Sequence, residues 1–210
     1  MPVKYPLVIF DFDGTLADSF PWFTEALNRV AEEYGLQPLD PVAIEDLRSC
    51  DPQTVLRRLK LPFWKLPAIG HRLKALMAQE PGRVRLFPGI EELLRDLSAA
   101  GVRLAMVSSN SLPNVRQVLG PSTTQCIGTY ECGVSLLGKA ARLRKVVRQS
   151  GVPGKPALFV GDEIRDLEAA KAAKVDFGAV AWGYNRLEAL RRHSPDLVFH
   201  CVEDIREAMR

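Results

Sequence analysis

Apolar residues in this chain gather into short runs separated by stretches with a helical period. The runs at 7–10, 103–107, 157–160, 177–182 and 196–200, with a weaker one at 125–130, read as buried strands because each is short, rich in branched or aromatic residues, and bounded by turn formers. Between them lie amphipathic segments. One at 90–100 stops at Gly101, which suits a helix C-terminus. Others follow at 112–119, at 137–149 and at 163–174, the last built on Leu-Glu-Ala-Ala-Lys-Ala-Ala, all strong helix formers. This alternation predicts an α/β architecture, a mainly parallel sheet with helices on both faces.

The rhythm fails once. From Ser19 to Arg85 no strand pattern occurs, and helical periodicity returns four times, at 22–34, 41–48, 52–59 and 66–79. Connections in compact domains are usually ~4–6 residues long, so this stretch reads as an α-helical insertion after the first strand. The expected organisation is residues 1–18 and 85–210 as the core and 19–84 as a helical cap, joined by linkers near 17–20 and 83–87.

The strands end on polar residues. The first stops on Asp11-Phe12-Asp13-Gly14-Thr15, and an extended chain would point Asp11 and Asp13 the same way. Carboxylates held so close raise each other's pKa unless a cation lies between them, and oxygen ligands of this kind suit Mg²⁺ with phosphate. The second strand ends on Ser108-Ser109-Asn110-Ser111, hydroxyls and N–H groups able to grip a phosphate at a helix start. Lys139 opens a helix, where the dipole disfavours a cation unless it faces carboxylates and a phosphate. The next strand ends on Gly161-Asp162-Glu163-Ile164-Arg165-Asp166; Asp162 would complete a Mg²⁺ site, and Asp166 lies four residues further on. Each cluster alone has a plainer explanation as a cap, a first-turn charge or a solvated lysine. Four such clusters at four strand ends do not share one.

Composition narrows the classes. At 210 residues and 47% hydrophobic, the chain can bury a full core. A net charge of +3 with no interleaved aromatic and basic stripe excludes a nucleic-acid surface. No run is long enough to span a bilayer, nothing resembles a signal peptide, and the expected location is cytoplasmic. Cys50, Cys126, Cys132 and Cys201 lack metal-ligand spacing and read as small buried hydrophobes. His71, His193 and His200 read as structural or surface residues. Arg48, Lys60, Trp64 and Lys65 could meet a substrate from the insertion, although solvated cations and a Trp64 in the insertion's own core explain them as well.

The run Asp11 to Leu16, Val107-Ser108-Ser109-Asn110, Lys139 and Gly161 to Asp166 together resemble a haloacid dehalogenase superfamily hydrolase, of the phosphoglycolate phosphatase-like branch with a helical cap. The resemblance covers the whole chain; the first motif is specific, and Lys139 departs in lacking the proline that often follows it. It implies a Rossmann-like fold and a phosphatase for a small phosphorylated metabolite. Asp11 would be the nucleophile, forming an aspartyl-phosphate, and Asp13 the general acid/base. Mg²⁺ would sit on Asp11, the backbone carbonyl of Asp13 and Asp162, with Asp166 orienting its waters. Ser108, Ser109, Asn110 and Lys139 would hold the phosphoryl oxygens. A phosphomutase on the same fold remains an alternative. A metal-free dehalogenase has little use for Asp13, and a catalytically dead interaction protein has none for the whole set.

Overall fold

The computed structural model describes residues 4–35, 37–58, 63–134, 138–154 and 156–209. In chain order, β1 (Leu7–Phe10) and β2 (Ala17–Asp18) precede helices α1 (Phe20–Glu33), α2 (Pro41–Leu47) and α3 (Pro52–Arg58), a 3-10 turn (Phe63–Lys65) and α4 (Leu66–Gln79). Then come β3 (Arg85–Leu86), α5 (Ile90–Ala99), β4 (Arg103–Val107), α6 (Leu112–Thr124), β5 (Thr129–Glu131) and α7 (Lys139–Gln149). The chain closes with β6 (Ala157–Gly161), α8 (Ile164–Ala173), β7 (Asp176–Val180), α9 (Leu187–Arg191), β8 (Leu197–Phe199) and α10 (Val202–Ala208).

Six strands form one parallel sheet in the order β5-β4-β1-β6-β7-β8. Strand alternation gives each face its own core. Val8, Phe10, Leu104, Met106, Leu158 and Val160 pack under α5, α6 and α10, and the same cluster continues into α1 and α4. Leu7, Ile9, Ala105, Val107, Phe159 and Phe177 pack under α7, α8 and α9. Helices therefore cover both faces, as the βαβ rhythm predicts, and both faces of β1 are fully apolar because both are buried.

The helical cap enters after β2 and leaves at β3. These two short strands pair antiparallel, Ala17 opposite Leu86 and Asp18 opposite Arg85, so the two linkers are tied to each other. Pattern alone misses them, since two residues carry no period. Proline sets the start of α1, α2 and α4, where its fixed φ fits and its missing N–H is not needed. Helices α1 and α4 pack together through Trp22, Ala26, Val30, Ile69, Leu76 and Met77. Trp64, expected in the cap's core, is exposed instead. Leu59, the expected last residue of the helix over 52–59, and Lys60, a candidate substrate contact, lie outside the described residues. So does Leu137, the expected first residue of α7.

The expected strand at 125–130 is corrected to Thr129–Glu131. Helix α6 runs on past Leu119: Gly120 turns out of the helix at φ 73° and Pro121 restarts it, so Gln125 becomes a helix end rather than a strand start. The expected burial of the cysteines is also corrected, since all four are free, three are half-buried and Cys201 is exposed at the start of α10. Among the described residues no helix is long and apolar enough to cross a membrane.

Candidate active site

Parallel strands put all their carboxyl ends on one edge, and β4, β1 and β6 are neighbours in the sheet. The chain winds outward from β1 to β4 and β5, then returns beside β1 at β6. Crevices at such reversals are where open α/β sheets bind ligands. Registers of Phe10 with Met106 and with Val160 set Asp11 beside Val107 and Gly161, so Ser108 and Asp162 each follow one residue further along the same edge. The Asp11 N–H continues the ladder by donating to the Val160 carbonyl at 2.9 Å.

Asp11, Asp162 and Asp166 are all buried, and one carboxylate oxygen from each lies within 4.8 Å of the other two. Lys139 is buried with them. Its Nζ donates to Asp11 Oδ2 at 2.6 Å and to Asp166 Oδ1 at 2.5 Å. Burial lowers the affinity of that amine for its proton, but the Asp11 and Asp166 carboxylates outweigh it and hold the ammonium charged. This explains why a lysine stands at a helix start: its charge is directed to two acids, not to the helix end.

One ammonium does not balance three carboxylates. At this spacing and an effective dielectric constant near 20, each pair of like charges repels by roughly 3–4 kcal/mol. Burial raises the pKa of Asp11, opposed by Lys139 and reinforced by Asp166. Burial likewise pushes Asp162 well above the usual carboxylate range, with Glu163, Asp11 and Asp166 adding to it. Asp162 has no cationic partner among the described residues. Its oxygens accept from Thr15 Oγ1 at 2.7 Å and from the Tyr184 N–H at 2.8 Å. Asp166 Oδ2 is buried without a partner. An all-oxygen, buried set with surplus negative charge and an unpartnered oxygen fits a hard divalent cation such as Mg²⁺.

Asp13 does not join this group. Strand β1 ends at Phe10, and the N–H groups of Thr15, Leu16 and Ala17 all fold back on the Phe12 carbonyl. The Asp13 carboxyl meets the residues that follow β4. There it accepts from Asn110 Nδ2, at 3.0 Å and 3.3 Å to its two oxygens. Burial raises its pKa while Asn110 and Ser19 hydrogen bonds oppose the rise. Gly14 makes the turn possible. It sits at φ +75°, and a Cβ there would lie 2.3 Å from Asp162 Oδ2.

The serine cluster divides its work. Ser111 caps α6 by accepting from the Asn114 N–H at 3.3 Å. Ser108 is buried at the strand end, with its Oγ accepting from the Asn110 N–H at 3.1 Å. Ser109 lies half-buried beside it. Asp162 is not the cap of α8; Glu163 occupies that position, and the Ile164 N–H is satisfied by Asn185 Oδ1 at 2.9 Å.

Sequence reasoning passes over the loop after β7. Gly183 must lack a side chain, because a Cβ would come within 2.1 Å of Asp162 Cβ. Tyr184 supplies the N–H to Asp162, places its hydroxyl 3.0 Å from Ser19 Oγ, and stacks edge-on with Phe20 at 5.1 Å. Arg48 reaches this loop from the cap, donating to the carbonyls of Gly183 at 2.9 Å and Tyr184 at 3.0 Å. Asn185 returns the contact by donating to the carbonyls of Arg48 at 2.8 Å and Cys50 at 3.2 Å. Arg48 is thus committed to joining cap and core. The only signal in the sequence is the Trp182-Gly183-Tyr184-Asn185 cluster after a strand, which reads as an ordinary turn.

The carboxyl edge of the parallel sheet thus carries buried aspartates, a buried lysine and hydroxyls beside the inserted helices. The chain belongs to the haloacid dehalogenase-like hydrolases, whose family model matches residues 8–180. Over 203 residues it is 31% identical to the phosphoglycolate phosphatase of Synechococcus elongatus, covering 96% of each chain. The crystal structure of CbbY from Rhodobacter sphaeroides in complex with phosphate is 25% identical, with a TM-score of 0.74 over 98% of this chain and 99% of that one. A haloacid dehalogenase-like hydrolase of Streptococcus pneumoniae shares the fold at 18% identity, with a TM-score of 0.78 over 99% of both chains.

Proposed function

We propose that the protein is a Mg²⁺-dependent phosphatase that hydrolyses a small phosphate monoester through an aspartyl-phosphate on Asp11. The observation that carries this reading is the buried cluster of Asp11, Lys139, Asp162 and Asp166 at the sheet's carboxyl edge. Likeness to phosphoglycolate phosphatase over 96% of both chains supports a substrate of that class, a short anionic alkyl phosphate.

Asp11, Asp162 and the backbone carbonyl of Asp13 would hold the ion, with Asp166 orienting its water shell. When bound, Mg²⁺ screens the nucleophile from the phosphate charge and stabilises the transferring group. Asp11 attacks phosphorus, and the bond to the leaving oxygen breaks. Asp13 protonates that oxygen and then takes a proton from the water that cleaves the acyl phosphate, returning Asp11. Burial raises its pKa, the direction that favours an acid at this position. Lys139 and Ser108 hold phosphoryl oxygens, with Ser109 and Asn110 beside them. Residues 19–84 act as a cap over the core formed by 1–18 and 85–210, excluding water during the first step. The Arg48 contacts with the Gly183 and Tyr184 carbonyls join it to the core.

Phosphate release from phosphoglycolate and from an aryl phosphate tests the proposal. With Mg²⁺ the protein turns both over; after chelation and dialysis turnover falls at least about a hundredfold and Mg²⁺ restores it, as expected for loss of several kcal/mol of charge stabilisation. Full turnover in the chelated protein would overturn the metal-dependent reading.

A further inference from the structure

Asn114 is buried in the first turn of α6 and makes no contact with the acidic cluster. Its Nδ2 donates at 3.0 Å to the backbone carbonyl of Lys74, on cap helix α4, and at 3.1 Å to Asn110 Oδ1. A carbonyl can only accept, so the Lys74 contact fixes which end of the Asn114 amide faces the cap. The second N–H of that nitrogen then requires an oxygen at Asn110. The Ser111 N–H, 2.8 Å from the same Asn110 Oδ1, makes the same demand. With its oxygen held on that side, Asn110 has only its NH₂ left to present to Asp13. Met77, also on α4, brings its sulfur within 3.2 Å of that NH₂.

We propose that Asn114 is a positioning residue: pinned to the Lys74 carbonyl of α4, it holds the Asn110 carboxamide so that it donates to Asp13, and so makes the acid/base geometry depend on the seating of the cap. The inference rests on Asp13 protonating the leaving group. Buried amide chains of this kind act through orientation, and a flipped Asn110 would turn an acceptor toward the Asp13 carboxyl. With the cap lifted, Lys74 is withdrawn and Asn114 loses the acceptor that fixes it. Asp13 is then aligned chiefly when substrate is enclosed.

The test uses leaving groups of different need. An alkoxide leaves poorly without a proton, whereas a nitrophenolate leaves well alone. Comparing kcat/KM, which reports the step through aspartyl-phosphate formation, isolates the protonation of the leaving group. Asn114→Leu keeps the volume and removes both donors. It should lower kcat/KM for phosphoglycolate roughly tenfold, a fraction of what a positioned acid contributes, and change that for para-nitrophenyl phosphate by less than about twofold. Asn114→Ala, which removes both donors without adding bulk or charge, should show the same split and guards against a folding failure of the leucine variant. Asp13→Asn must show the split more strongly. If it does, and both Asn114 variants slow the two substrates equally or neither, the positioning role is overturned. If Asp13→Asn shows no split, the acid/base reading falls and takes this inference with it.

Discussion

Asp11→Asn is expected to lower kcat by about 10⁴-fold or more while leaving the fold intact, since knocking out a covalent nucleophile has effects of this size or larger. The amide has the shape of the carboxylate and keeps an oxygen for the Lys139 ammonium. It removes one of three crowded negative charges, so the thermal midpoint should stay within a few degrees of wild type. Circular dichroism melts beside a phosphate-release assay make the check. Retained activity would show that Asp11 does not carry the phosphoryl group. A collapsed midpoint would show that the Asp11–Lys139 pair is needed for folding as well.

Lys139→Met is expected to be harmful in both respects. The ammonium lies between Asp11 and Asp166 in a buried setting, its side chain only 3% exposed. Breaking a buried pair by removing one partner costs about 3–5 kcal/mol, because the remaining charge is left without compensation. For a chain of this length that corresponds to a loss of roughly 6–20 °C in thermal midpoint. Here two carboxylates are stranded and not one, while methionine keeps an unbranched apolar stem in place of the lysine's. Millimolar Mg²⁺ should recover part of the lost midpoint by binding the freed oxygens, an effect that grows with ion concentration. Activity should remain lost, because the phosphoryl oxygens no longer meet the ammonium. A midpoint unchanged from wild type would refute this electrostatic picture of the cluster.

Much of this was legible in the chain because its period reports burial. Leu7–Phe10 and Leu104–Val107 are apolar on both faces, and the structure gives both strands their expected bounds, 7–10 and 103–107. Leu66–Gln79 likewise has its expected limits, set by Pro67 at its start. The acids at 11 and 162 and Lys139 meet because strand ends in a parallel sheet share an edge. What could not be read depends on tertiary contact. The Asn110 side chain meets the Asp13 carboxyl across a sequence separation of 97, which no alternation rule contains. Thr15 and the Tyr184 N–H serve Asp162 across long stretches of sequence. Arg48 looked like a free cation, and the carbonyls that bind it lie on a loop with no pattern of its own. Asn114 in the first turn of α6 reads as an ordinary polar residue until Lys74 of the cap is beside it.

The central claim is that a phosphoryl group rests covalently on Asp11 during turnover. Rapid acid quench of the protein with phosphoglycolate and Mg²⁺, followed by borohydride reduction and peptide mass spectrometry, tests it directly. An acyl phosphate is reduced to the alcohol while a free carboxylate is not, so homoserine is expected at position 11 in the quenched sample and none when substrate is omitted. An unmodified aspartate at position 11 under steady turnover, or the reduced residue at any other carboxylate, would contradict it.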